Sequence, residues 1–130
     1  MKFEILSDPA NLKVVRQKAR IAVENFNPKY KDIEALILAI DEAVQNIIRY
    51  AYEMDKTKKI IFEVYKSDDL ITFEIRDFGK QAPIEKIKSR DLEDVKPGGL
   101  GVHFIKSIAK EVDYIHQNDG DGGTKLILKF

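Results

Sequence analysis

The sequence predicts one α+β domain, a two-layer α/β sandwich whose mostly antiparallel, mixed sheet carries helices on one face. Three observations lead there. The hydrophobic periodicities follow the order β-α-α-β-β-loop-α-β-β. Two pairs of adjacent strand-like runs are joined by short turn clusters, which makes them antiparallel hairpins. The chain has 130 residues, a length that suits a single domain over 1–130 and allows a sizeable core.

Each element has its own local signal. Lys2 to Leu6 reads as a first strand, with Phe3 and Ile5 on one face. Ser7-Asp8-Pro9 breaks it and can cap a helix from Ala10 to Phe26, in which Leu12, Val15, Ala19, Ala22, Val23 and Phe26 recur at helical spacing. Asn27-Pro28 ends that helix, because the residue before proline is pushed out of the helical region. A second helix is expected from about Lys29 to about Met54. Its apolar residues Ile33, Ile37, Ile40, Val44, Ile47 and Ala51 lie opposite a polar stripe of Glu42, Asn46 and Arg49. Lys58 to Tyr65 is a β-rich run, and Leu70 to Asp77 alternates cleanly, with Ser67-Asp68-Asp69 as the turn between them. Phe78 to Gly98 is the least regular stretch, with room for a short helix at Ile84 to Lys88; so long an irregular segment is often a lid or binding loop. A further helix is expected from Val102 to Glu111. Val112 to Gln117 and Thr124 to Phe130 then close the chain as a hairpin around Asp119-Gly120-Asp121-Gly122-Gly123.

Composition narrows the function classes. Apolar content of 44% and charged content of 34% are ordinary for a globular domain. The formal net charge is zero, which gives no global reason to bind nucleic acid or an acidic membrane surface. Cysteine is absent, so a thiolate nucleophile, a disulfide and a cysteine-based zinc site are excluded. No stretch approaches the apolar length of a membrane span or a signal peptide. The expected location is the cytoplasm.

Three constellations carry chemistry. Glu42 and Asn46 sit one helical turn apart. An amide oxygen together with phosphates suits Mg²⁺, and the carboxylate could take a proton from an attacking hydroxyl. The same pair also reads as a solvated helix face. Asp77-Phe78-Gly79 ends a strand; its carboxylate could accept from an exocyclic amine, and the glycine could admit a planar ligand, although a plain strand-ending turn has the same look. Lys96-Pro97-Gly98-Gly99-Leu100-Gly101-Val102 precedes a helix, where backbone N–H groups can turn to phosphate. It is neither a Walker A loop nor a complete dinucleotide fingerprint, and a flexible helix start would read the same. His103 and His116 read as structural, Asp119 and Asp121 as turn residues, and Arg16, Lys18 and Arg20 as a solvated basic edge open to a partner.

The order of these motifs resembles the GHKL ATPase superfamily with its Bergerat fold, from about Ile33 to Phe130. Asp41 to Tyr52, DEAVQNIIRYAY, is similar to that family's asparagine box. Asp77 and Gly79 are similar to its first glycine box, Gly99-Leu100-Gly101 to its second and Gly123-Thr124 to its last. Within the superfamily the chain is most similar to the small anti-sigma-factor serine kinases of partner-switching systems, through EAVxN…YAY and GGLGVHFIKSIAKEVDY.

The resemblance implies ATP and Mg²⁺ as cofactors. It implies Glu42 as the general base for a partner's serine, and Asn46 as the Mg²⁺ ligand. Asp77 would accept from the adenine amine, and Gly79 would leave room for the ring. Gly98, Gly99, Leu100, Gly101 and Val102 would cradle the phosphates, Thr124 would lie near the adenine, and Arg49 belongs to the same ATP-binding set. Two departures stand out. Gln81 occupies the place of a second glycine in DFGKQ, and Pro97 stands where some relatives carry a basic residue, so that role is expected of Lys96. The implied function is a protein serine/threonine kinase that phosphorylates an anti-sigma-factor antagonist and binds a sigma factor, with a homodimer as a family expectation. A nucleotide-dependent binding module without phosphotransfer is the alternative.

Overall fold

The structure is a computed structural model that describes residues 1–81, 99–118 and 120–130, with the backbone alone for 99–101. A five-stranded sheet holds the strands in the order β1-β2-β3-β5-β4, comprising β1 (Lys2–Leu6), β2 (Lys59–Ser67), β3 (Leu70–Asp77), β4 (Glu111–His116) and β5 (Thr124–Lys129). All of its pairings are antiparallel, so the mixed component expected of the sheet is not found among the described residues. The β2–β3 turn places Asp68 and Asp69 at φ 52° and 62°, the twist that two-residue hairpin turns require.

The helices are α1 (Leu12–Phe26), α2 (Ile33–Asn46) and α3 (Gly99–Ile108). Several of their ends differ from expectation, each for a local reason. Before α1, Pro9–Asn11 form a 3-10 turn, because the Asp8 carboxylate accepts from the Ala10 N–H at 2.9 Å. α2 starts at Ile33, not near Lys29, because Asp32 caps it by accepting from the Ala35 N–H. α3 starts at Gly99, so Gly99, Leu100 and Gly101 form its first turn and do not stand as a loop before Val102. First-turn N–H groups have no helical partner in any case, and extending the helix by that turn forfeits none of them. α3 stops at Ile108, well before Glu111, since Lys110 donates to the Lys129 carbonyl at 2.7 Å and joins the sheet. The short helix expected at Ile84 to Lys88, and the residues Lys96 and Gly98, lie outside the described residues.

One hydrophobic cluster holds the two layers together. The sheet contributes Ile60, Phe62, Val64, Ile71, Phe73, Ile75, Leu126 and Leu128, all buried. These are alternate residues of their strands, as a half-covered antiparallel sheet demands. The other face is polar and ion-paired, with Lys125 on Glu74 and Lys129 on Glu111, both at 3.5 Å. α2 packs against both α1 and α3. That central position buries Leu36, Ile37, Ala39, Ile40, Ala43 and Val44, more of the circumference than a single apolar stripe would cover.

The same packing changes the reading of the basic edge on α1. Arg16 donates to Asp41 Oδ1 at 2.8 Å, and Arg20 pairs with Glu34 at 2.5 Å. Lys18 lies over the Phe3 ring. None of these three cations is merely solvated.

Candidate functional site

α2 changes character after Asn46. The Tyr52 N–H reaches the Ile47 carbonyl, five residues back, at 3.0 Å. Ile47–Ala51 is therefore a π segment, a local widening frequent at functional sites. Glu53 and Met54 then adopt positive φ and end the helix, so the uninterrupted α-helix expected to Met54 is replaced by an α-helix with a π-turned end. The Ala51 carbonyl, left without a helical donor, accepts the Lys80 N–H at 2.8 Å.

That bond fastens the end of the helix to the end of β3. Tyr52 strengthens the junction: its hydroxyl donates to the Lys59 carbonyl at 2.5 Å and accepts the Phe78 N–H at 2.7 Å. Gly79 fits between them. A Cβ there would stand 2.7 Å from the Ala51 carbonyl carbon and 2.9 Å from Tyr52 Cδ1. What demands a glycine at this position is the close approach of two backbones. From the other side, Gly123 has φ +80°, and a Cβ on it would lie 2.6 Å from Phe78 Cα. The Gln81 amide donates to the Gly123 carbonyl at 2.5 Å and to that of Gln117 at 3.0 Å. The residue in the second glycine's place thus ties the strand end to the closing hairpin.

Asp77 is buried, and burial pushes its carboxyl above the ordinary aspartate value. The N–H groups of Gly79 and Thr124 and the charges of Arg76 and His116 pull the other way. The Gly79 N–H bond measures 2.9 Å. The carboxylate is held from behind by the backbone, which fixes its direction.

These elements enclose a cleft of ≈ 210 Å³. Asn46, Asp77, Val102 and Thr124 all line it, brought from α2, β3, α3 and β5. Tyr50, Lys80 and Tyr114 also line it. Sequence reasoning passed over these three, although Tyr50 lies one turn beyond Asn46 and Lys80 follows Gly79 directly. Glu42, Arg49 and Gly79 do not line the cleft.

The polar stripe of α2 is not a solvated face. Oδ1 and Nδ2 of Asn46, Oε2 of Glu42 and Nη1 of Arg49 are buried and have no hydrogen-bond partner among the described residues. An orphaned buried polar atom costs about 1–3 kcal/mol, so the Asn46 amide, which lines the cleft, is suited to a ligand that satisfies it. Arg49 uses its other edge: Nη2 donates to Gln45 Oε1 at 2.6 Å, and Gln45 Nε2 donates to Asp41 Oδ2 at 2.5 Å. Arg16 completes a chain of hydrogen bonds from α1 to the π segment. His116 keeps a buried Nε2 without a hydrogen-bond partner among the described residues.

Comparison with known proteins gives this arrangement its kinship. The profile of the histidine kinase-like ATPase domain matches residues 5–130. The chain belongs to that family. The anti-sigma F factor of Clostridium perfringens is 26% identical over 135 residues, covering 99% of this chain and 94% of that protein. The serine-protein kinase RsbW of Halalkalibacterium halodurans is 27% identical over 123 residues, covering 90% and 74%. The RsbW of Bacillus cereus is 28% identical over 110 residues, covering 78% and 66%. The fold expected of a histidine kinase-like ATPase domain, an antiparallel sheet with helices packed on it, is the fold found. No helix among the described residues is long and apolar enough to cross a membrane.

Proposed function

We propose that this chain is an ATP-dependent protein serine/threonine kinase. In this reading it phosphorylates a small anti-sigma-factor antagonist and acts as an anti-sigma factor by switching partners. The observation that carries the reading is Asn46: an amide with both polar atoms buried and unpaired among the described residues, at the edge of a cleft that also holds the backbone-braced Asp77. The names of the relatives, an anti-sigma factor and serine-protein kinases, support the partner class.

Asp77 would accept the adenine amine, with Thr124 beside it. The first turn of α3, Gly99 to Val102, would take the phosphates on its free N–H groups, joined by Lys96 and Gly98. Lys80 brings a further cation to the cleft wall. Glu42, one turn from Asn46, would accept the proton of the attacking serine hydroxyl. Arg49 does not reach the cleft wall, and its place in the ATP-binding set rests on its free Nη1.

Asn46 fits a Mg²⁺ ion, because its buried oxygen is an uncommitted hard ligand. No cluster of three acidic or histidine side chains among the described residues competes for a metal, so the rest of the shell would come from phosphate oxygens and water. Mg²⁺, when bound, supplies charge neutralisation on the phosphates. The protein is read as cytoplasmic, and homodimerisation is carried over from the family expectation.

The test is phosphate transfer from ATP to the unphosphorylated antagonist. Glu42→Ala is expected to lose transfer by at least 10²-fold, on the order of what a general base contributes, and to keep ATP affinity in calorimetry. Full transfer by this variant would remove Glu42 from the chemistry. ATP binding by the wild type with phosphate on no partner would favour the binding-module alternative.

A further inference from the structure

The cleft has two halves that come from different layers. Asn46 rides on the helix, and Asp77 rides on the sheet. The helix end meets the turn that carries Asp77 at one junction, and Tyr52 is its centre. The side chain is 6% exposed, and the hydroxyl is used twice, donating to the Lys59 carbonyl on β2 and accepting the Phe78 N–H. Phe78 is the residue between Asp77 and Gly79. Its N–H belongs to the peptide unit that follows the Asp77 Cα, so fixing it fixes the backbone from which the carboxylate projects. The Gly79 N–H, one residue on, bonds Asp77 Oδ1, and a Cβ on Gly79 would stand 2.9 Å from Tyr52 Cδ1. Burial raises the Tyr52 hydroxyl above its ordinary value, with Asp77 adding to the rise and the Phe78 N–H and Arg76 opposing it. It remains a neutral O–H able to donate and accept together.

We propose that Tyr52 is a positioning residue for recognition of the nucleotide base. Its hydroxyl holds the Phe78 peptide, and through it aims the Asp77 carboxylate at the exocyclic amine of a purine. The proposal rests on the reading of Asp77 as the base-binding carboxylate and goes beyond it, since Tyr52 does not line the cleft. Without the Tyr52 hydroxyl, Asp77 would still be braced by Gly79 and Thr124 and its turn tied through Lys80 and Gln81, but the peptide that directly follows it would lose its side-chain acceptor. The consequence is specific. Loss of the hydroxyl lowers discrimination for the amine and leaves affinity for the triphosphate portion in place.

Tyr52→Phe keeps the ring and removes both hydrogen bonds. The experiment measures calorimetric affinity for ATP and for purine riboside triphosphate, which lacks the 6-amine. The wild type is expected to favour ATP by about tenfold, the worth of one good hydrogen bond. In Tyr52→Phe the preference falls to within about threefold, while affinity for purine riboside triphosphate changes by less than about threefold. Tyr65→Phe is the control. Tyr65 donates to Glu74 on the outer face of the sheet, so its variant loses a hydroxyl bond and keeps the full preference for ATP. A Tyr52→Phe protein that also keeps the full preference overturns the role of Tyr52 while the reading of Asp77 stands. A wild type with no preference overturns both. Hydrogen exchange on the wild type tests the same bond without a variant. The Phe78 amide is expected to exchange as slowly as the β3 amides, and fast exchange there overturns the proposal.

Discussion

Replacing Gly79 by alanine adds one methyl group at the most crowded backbone contact of the site. The new Cβ would stand 2.7 Å from the Ala51 carbonyl carbon and 2.9 Å from Tyr52 Cδ1, and closer still to the Ala51 oxygen. Two of these neighbours are backbone atoms at the end of the π segment, which cannot rotate away. Relief requires the Ala51 and Lys80 backbones to part, breaking the 2.8 Å bond between them. Overpacking of this kind costs about 1–3 kcal/mol, and the lost bond a further 0.5–1.5 kcal/mol or so. The alanine returns about 0.4–1 kcal/mol by restricting the unfolded chain. The centre of the sum is a loss of roughly 2 kcal/mol. Urea unfolding followed by circular dichroism reads this directly. With a slope of about 1–2 kcal/mol/M, the midpoint should fall by roughly 1–2 M with the slope unchanged. ATP affinity should fall with it, because Ala51 and Asp77 both line the cleft. A stability loss below about 0.5 kcal/mol would refute the reasoning. It would mean that the two backbones separate freely and that the glycine is not there for their contact.

Asp41→Ala strands the Gln45 amide and the Arg16 guanidinium, the latter with a side chain 45% exposed. Since Arg16 can turn to water, the expected loss is about 1–2 kcal/mol, and Asp41→Asn should lose less because its amide oxygen still accepts from Gln45; urea unfolding of the two variants ranks them. Asp77 predicts a pH dependence. Its folded pKa is raised above 3.8, so its contribution to stability is fully present below the unfolded value and is lost as pH rises through the folded value. Subtracting the pH–stability curve of Asp77→Asn from that of the wild type should show that fall starting near pH 3.8 and ending only once the pH has passed the raised folded value. A difference curve that rises with pH there would mean that the backbone N–H groups outweigh burial.

The strands were legible because their signals are local. β1 and β3 have the boundaries that alternation places at Lys2–Leu6 and Leu70–Asp77. α1 ends where Asn27-Pro28 requires. The π segment was not legible. Ile47, Ile48 and Ala51 suit an α-helix equally well, and the Ala51 carbonyl that the widened end leaves free is taken by Lys80, a contact with a distant strand end. The Arg16–Asp41 pair escaped for the same reason. Nothing in a chain separation of 25 residues announces that two helices will bring those charges together. In the site, the residues with an uncommon type for their place, Asn46 in mid-helix and Asp77 at a strand end, could be found. Tyr50, Lys80 and Tyr114 could not, because a tyrosine or a lysine has too many ordinary uses. For Gly79 the structure adds a reason that the sequence did not offer, since a Cβ there meets the Ala51 backbone.

A helix packed between two others offers few ways to present polar atoms. On α2, α1 and α3 claim much of the surface, Glu34 and Leu38 stay exposed, and Asn46 faces the cleft that Asp77 and Thr124 also line. Where that amide points depends on how the helix end is anchored. Anchoring through the α1 side alone, by the Arg16–Asp41–Gln45–Arg49 chain, would fix the helix against a neighbouring helix and leave its height above the sheet open. The junction at Ala51, Tyr52 and Gly79 supplies the missing constraint, since it binds the helix end to β2 and to the Asp77 turn at once. Substitutions on the outer face of the sheet, where Glu74 meets Lys125, should therefore leave the separation of Asn46 and Asp77 unchanged even when they cost stability. Substitutions at the junction should alter that separation even when the protein remains folded.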